Sequence, residues 1–148
     1  KVGKLDLKKI PPAGNMGSQL KTLADIMVTG NKITFVSENK KMSEDIKVLS
    51  NKKLGIWIIQ NKSKKTIGIV TDGQIRRFNQ KKLDLLSMKV KEIMTKNPIS
   101  VEKNSLAVKA LALMNNKKIT SLCVYNKKNK YKTIGVVHIH NIIKHNIS

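Results

Sequence analysis

The chain has 148 residues, with 30 Lys+Arg against 9 Asp+Glu and a formal charge of +21. That length suits one domain or two very small ones and can bury a core without disulfides or a metal, and a 40% apolar fraction argues against wholesale disorder. A single cysteine, Cys123, excludes an internal disulfide framework and fits a reducing, cytoplasmic compartment, and the longest strongly apolar run, Leu54 to Ile59, is far too short to cross a bilayer. No charged-then-apolar leader opens the chain. Because it begins at Lys1 rather than Met, it is expected to be a piece of something longer.

In chain order, the first structural signal is Ile26-Met27, which leads through a short polar turn to an extended segment expected over Ile33 to Val36. Met42, Ile46 and Leu49 follow at i, i+4 and i+7, one face of a helix. A strongly β-prone run, Ile56 to Ile59, comes next. A Lys/Asn turn joins it to a strand expected over Thr66 to Val70, and a short helix over Gln74 to Phe78 closes the half. Ile93-Met94 then opens the same order again. An extended segment is expected over Ile99 to Val101, and Ala107, Leu111 and Met114 mark a helical face, with Asn104 or Ser105 placed to cap it. Strands over Leu122 to Tyr125 and Thr133 to Val137 and a helix over Asn141 to Asn146 complete the second half.

The two halves are a repeat. Thr66-Ile67-Gly68-Ile69-Val70 returns as Thr133-Ile134-Gly135-Val136-Val137, and Ile26-Met27 as Ile93-Met94, both at an offset of 67. Lys52-Lys53-Leu54 returns as Lys117-Lys118-Ile119, and Asn61-Lys62 as Asn126-Lys127, at an offset of 65. The offset changes only in turns, which tolerate insertions. Halves of about 60 residues are marginal alone, so the two should pack sheet against sheet with pseudo-twofold symmetry.

The charge raises nucleic acid as a partner. Against that, 28 of the 30 basic residues are Lys, which lacks the bidentate fork of Arg. The stacking aromatics are only Phe35, Trp57, Phe78, Tyr125 and Tyr131. Lys, Asn and Ile together make up 60 residues, and all three have A/T-rich codons. A coding bias therefore accounts for most of the excess as a solvated Lys-rich surface.

Gly68-Ile69-Val70-Thr71-Asp72-Gly73-Gln74-Ile75 and Gly135-Val136-Val137-His138-Ile139-His140-Asn141-Ile142, with the Ile-Met at each repeat start, resemble a tandem pair of CBS domains, an α/β fold of two βαββα repeats. More narrowly, Thr71-Asp72-Gly73-Gln74-Ile75-Arg76-Arg77, Lys118-Ile119-Thr120-Ser121 and Pro12-Ala13-Gly14-Asn15-Met16-Gly17 resemble segments of bacterial arabinose-5-phosphate isomerases. The resemblance implies residues 1–22 as a remnant or linker from an N-terminal sugar-isomerase domain, 23–82 as the first CBS repeat and 83–148 as the second. It implies a parent that interconverts ribulose 5-phosphate and arabinose 5-phosphate for Kdo and lipopolysaccharide synthesis. This chain would then be its regulatory part, without catalytic residues and with no isomerase activity of its own. A small anionic metabolite, an adenine nucleotide or CMP-Kdo, would bind between the repeats with no required cofactor. Self-association as a dimer, or a tetramer in the full-length enzyme, would follow. The alternatives are a purely structural dimerisation module without ligand and a basic nucleic-acid-binding domain.

In such pairs a hydroxyl meets phosphate, and an Asp three residues later accepts from the ribose hydroxyls. Here those positions are Thr71 and His138, then Gln74 and Asn141. Both carboxylates are replaced by amides, which accept without charge assistance and do not repel an anion. Gly68 and Asp72 belong to the same segment. Arg76 and Arg77, the only arginines, suit a phosphate or carboxylate, although neighbours on a helix point about 100° apart, so one of the two is expected to reach the cleft. Thr120 and Ser121 precede the central strand as small cleft-lining residues, as Leu54 and Gly55 do in the first half. His138 and His140 alternate at a strand end, too few for zinc, and are expected to give a pH-sensitive phosphate contact. Trp57 and Met114 are expected in the core, and Cys123 as an inert buried thiol.

Overall fold

The computed structural model describes residues 20–44, 56–80, 84–145 and 147. Among the described residues, seven strands form two sheets. The first runs in the order β1 (Thr34–Ser37), β2 (Ile56–Gln60), β3 (Thr66–Thr71), β4 (Thr95–Lys96), with β1 parallel to β2 and the remaining pairs antiparallel. The second runs β5 (Ser100–Glu102), β6 (Ser121–Tyr125), β7 (Thr133–His138), again with one parallel and one antiparallel pair. The helices are α1 (Leu23–Ile26), α2 (Asp72–Gln80), α3 (Val90–Ile93), α4 (Ala107–Lys117) and α5 (Ile139–Lys144). No helix among the described residues is long and apolar enough to cross a membrane.

Residues 56–59 of β2 are all buried because both faces of the sheet are covered. Trp57 and Ile59 point into a cluster with Val36, Met42, Val70 and Ile75. Ile56 and Ile58 point the other way, onto Cys123 and Val136 of the second sheet. Alternation along a strand sorts these side chains between two cores, and each large apolar side chain so buried contributes roughly 2–3 kcal/mol. The two sheets therefore pack face to face, as the repeat requires. The equivalent Thr66 and Thr133 meet across the junction, their buried hydroxyls 2.6 Å apart.

The halves exchange their leading segments. Leu23 and Ile26 of α1 belong to the core of the second half, with Met114, Val124 and Ile142. Leu85, Val90 and Ile93 belong to the core of the first. After each short helix the chain adds to the other half's sheet: β4 pairs with β3, and Val28 bridges to Val136 of β7. The methionine between follows. A Cβ built on Gly68 would lie 2.8 Å from Cγ of Met94, and one on Gly135 would lie 2.9 Å from Cγ of Met27. The recurrence of Ile-Met with Thr-Ile-Gly thus records one contact made twice, each time across the halves.

Several expectations shift. The final helices begin at Asp72 and Ile139, two residues before the expected starts at Gln74 and Asn141. Neither Asn104 nor Ser105 caps α4. Its N-cap is Leu106, and the N–H of Ala107 is satisfied at 2.8 Å by the carbonyl of Lys21, a strand-like neighbour that the sequence pattern did not place there. Of the helical face at Met42, Ile46 and Leu49, Met42 is fully buried, while Ile46 and Leu49 lie outside the described residues, as do Leu54, Gly55 and residues 1–19. Trp57 and Met114 are fully buried.

Cys123 is buried, and desolvation pushes its thiol up to about 11, against a weaker opposing hydrogen bond with Thr133. An acid whose folded pKa is raised stabilises the fold below its unfolded value, and that contribution fades as pH climbs from about 9 toward 11. Urea titrations across that window should show wild type losing more stability than Cys123→Ala, which lacks the thiol. Equal slopes would contradict the burial. At neutral pH, Ellman's reagent should label the thiol only after unfolding.

Candidate functional site

A cleft of about 1280 Å³ opens where the two sheets meet. The C-terminal ends of β3 and β7 and the first turns of α2 and α5 form its walls, so both halves contribute equivalent residues. Thr71, Gln74, Arg76 and Arg77 line it from the first half, and Thr120, Ser121, His138, His140 and Asn141 from the second. The structure therefore brings nine of the sequence-singled residues to one place. Gly68 is not among the lining residues, because it is buried beneath Met94 and its lack of a side chain serves packing. Asp72 is the first residue of α2.

The two amides do a job the sequence reading did not assign. Oε1 of Gln74 accepts from the backbone N–H of Thr71 at 2.9 Å and from its hydroxyl at 3.3 Å, while Nε2 donates to the Thr95 hydroxyl at 2.8 Å and the Ile93 carbonyl at 3.4 Å. Asn141 repeats the device, its Oδ1 accepting from the His138 N–H at 2.8 Å. Asp25 and Glu92 do the same for Thr22 and Lys89. Each is the third residue of its helix reaching back to the cap, and Thr71-Asp72-Gly73-Gln74 is itself a capping-box sequence, the signal that identifies this role in advance. For Asp25, the Thr22 backbone N–H is the main reason its carboxyl titrates below the ordinary range.

His138 caps α5 through Nδ1, which accepts from the His140 N–H at 3.1 Å. That places its own proton on Nε2. The His138 and His140 rings stack with centroids 4.6 Å apart. An imidazole whose Nδ1 accepts in this way serves as a cap, and protonation of that nitrogen would forfeit it.

Both arginines line the cleft, rather than one. A Cβ built on Gly73 would lie 3.7 Å from Nη1 of Arg77 and 4.0 Å from Nη2 of Arg76. Their long stems bring both guanidinium groups over the first turn of α2, which overrides the divergence of neighbouring helical positions. Lys32, Lys118 and Lys144 add three more cations, and no carboxylate lines the cleft among the described residues. The sequence reading gave none of the three a site role, although Lys118 opens the Lys118-Ile119-Thr120-Ser121 segment.

Comparison with known proteins accords with this geometry. A family model for the CBS domain matches residues 90–148. A CBS domain protein from Pyrobaculum aerophilum complexed with AMP superposes with a TM-score of 0.71 over 82% of this chain and 89% of that one, at 20% identity. The chain has the fold of a CBS domain pair, and its residues 90–148 match the CBS domain family. The chain is 36% identical over 134 residues to arabinose 5-phosphate isomerase KdsD of Yersinia pestis, 90% of this chain and 40% of the relative. It is 33% identical over 143 residues to the uncharacterized protein RP505 of Rickettsia prowazekii, 97% of this chain and 43% of the relative. The chain thus spans about two fifths of the length of these relatives.

Proposed function

We propose that this CBS pair is the ligand-sensing, regulatory part of an arabinose-5-phosphate-isomerase-like enzyme. It takes an anionic nucleotide or sugar nucleotide, an adenine nucleotide or CMP-Kdo, into the cleft between the repeats. The observation that carries the reading is the cleft itself: two equivalent walls, both arginines, and no carboxylate among its described lining residues. An electropositive concavity of this size selects phosphate and carboxylate oxygens. The similarity to isomerases supports the parent activity and, with it, a place in Kdo and lipopolysaccharide synthesis in the cytoplasm. We assign residues 23–82 and 83–148 to the two repeats, residues 1–22 to the connection with an isomerase domain, and self-association to pairs of such modules. Ligand binding would then bias how the attached domains pack.

The engaged amides refine the ligand. Gln74 has no lone pair or N–H left for a ribose diol, so on the first half's side recognition falls on the anionic end. Thermal melting with AMP, ATP, 2′-deoxy-ATP, CMP-Kdo and arabinose 5-phosphate tests both points. The true ligand at about 100 times its Kd should add about 2.7 kcal/mol of stability. ATP and its 2′-deoxy form should bind within about threefold, because no strong contact to the diol is lost. If none of the five raises the melting temperature, the reading fails. A preference above tenfold for the ribose form would show that the amides are not confined to capping.

A further inference from the structure

We propose that Lys118 is an anion-binding residue of the cleft, kept there against the preference of its own backbone. The proposal rests on the cleft being a ligand site. Lys118 directly follows α4 and has φ 56° and ψ 41°, the left-handed region. There a Cβ crowds the neighbouring carbonyl, which is why helices that end this way do so on Gly, or less often Asn. The main-chain work at this position needs no side chain. The Lys118 N–H closes onto the carbonyls of Asn115 and Met114, and the Ile119 N–H onto Met114 at 3.0 Å. Glycine would do all of it with less strain. What glycine lacks is a cationic side chain, and Lys118 lines the cleft from the second half while Arg76 and Arg77 line it from the first.

Coding bias accounts for a lysine at this position but not for its place in the cleft. Asn is encoded by equally A/T-rich triplets, occurs 14 times in the chain, and occupies the left-handed position at residue 97. Two other lysines have left-handed backbones, Lys64 (φ 65°) and Lys127 (φ 57°). Both sit exposed in the hairpin turns between β2 and β3 and between β6 and β7, and neither lines the cleft. They are matched controls, with the same strain and no access to the ligand. A cation from each half also defines the ligand class. It should carry two anionic groups, or a pyrophosphate, able to bridge Lys118 and the arginine pair.

The test compares Lys118→Gly, Lys64→Gly and Lys127→Gly by thermal melting and by calorimetric titration with inorganic pyrophosphate and with ATP. Arg76→Gln/Arg77→Gln serves as the reference for the cleft. All three glycine variants should melt about 3 °C higher, as relief of left-handed strain predicts. Only Lys118→Gly should weaken pyrophosphate binding, by about tenfold, the order of one charge-assisted contact. Unchanged pyrophosphate and ATP affinity in Lys118→Gly, while the arginine variant loses binding, overturns the proposal and leaves the cleft reading intact. A lower melting temperature for Lys118→Gly alone also overturns it, because the lysine would then be structural. If wild type binds neither probe, this proposal falls, while the cleft reading still turns on the melting series with CMP-Kdo.

Discussion

Replacing Arg76 and Arg77 together with Gln is expected to lower the affinity for a phosphorylated ligand by about 100-fold. Each guanidinium in contact with phosphate contributes a charge-assisted hydrogen bond worth roughly 1.5–3 kcal/mol, or about tenfold or more in affinity. Both head groups come down over Gly73 at the mouth of the cleft, so the pair acts on one group of the ligand and the two losses need not add. Arg76→Lys/Arg77→Lys separates charge from geometry. It keeps two positive charges but loses the planar fork, and should recover only part of the binding. Both side chains are exposed, so melting in the absence of ligand should move by less than about 2 °C. Titration by calorimetry at two salt concentrations checks the claim. Wild-type affinity should fall with salt, and the Gln variant should be weaker and fall less steeply, since Lys32, Lys118 and Lys144 still line the cleft. Equal affinities for wild type and the double Gln variant would remove the arginines from the site.

Alanine at Gly68 or Gly135 should destabilise the fold by about 1–3 kcal/mol each, the usual cost of forcing a methyl into a filled core. At this chain length that lowers melting by roughly 3–10 °C. The new Cβ would press on Met94 in one case and Met27 in the other, and on Gly68 it would also come within 3.0 Å of the Thr95 carbonyl. The informative experiment is rescue. Shortening Met27 to Ala should recover stability in Gly135→Ala but not in Gly68→Ala, and Met94→Ala should do the reverse. That crossed pattern is the signature of exchanged leading segments. If each methionine rescued the glycine of its own half, the exchange between halves would be wrong. A double-mutant cycle measures it directly, since only contacting pairs couple by more than about 0.5 kcal/mol. Because a whole domain is stable by only about 5–15 kcal/mol, the double glycine variant approaches the threshold for folding.

Much of the fold was legible because its signals are local. The apolar runs at residues 56–59 and 122–125 are β-prone and short, and the repeat doubles every inference drawn from one half. The cleft residues were legible through motif likeness, which singled out Thr71, Gln74 and the two arginines in one half and His138 and Asn141 in the other. Their roles were less so. Gln74 and Asn141 read as ligand acceptors, yet they spend their oxygens on backbone caps. The capping-box spacing was visible, but the sequence does not say which of two available partners an amide will take. The Arg76–Arg77 pair was expected to divide between cleft and solvent. Helical geometry alone predicts that, and only the position of α2 at the cleft mouth lets both side chains reach.

By itself the sequence determined the number of repeats, the strand order within each, and the identity of the residues at the ends of β3 and β7, because periodicity, turn chemistry and self-similarity are properties of neighbours along the chain. Tertiary structure alone decided that Met27 covers Gly135 and Met94 covers Gly68, that Lys21 rather than Asn104 or Ser105 serves the start of α4, and that Lys118 among 28 lysines stands in the cleft. These are contacts between residues far apart in sequence. They exist because two marginal halves bury their apolar faces together, and the docking of the two sheets, rather than any local preference, sets which side chains then share the space between them.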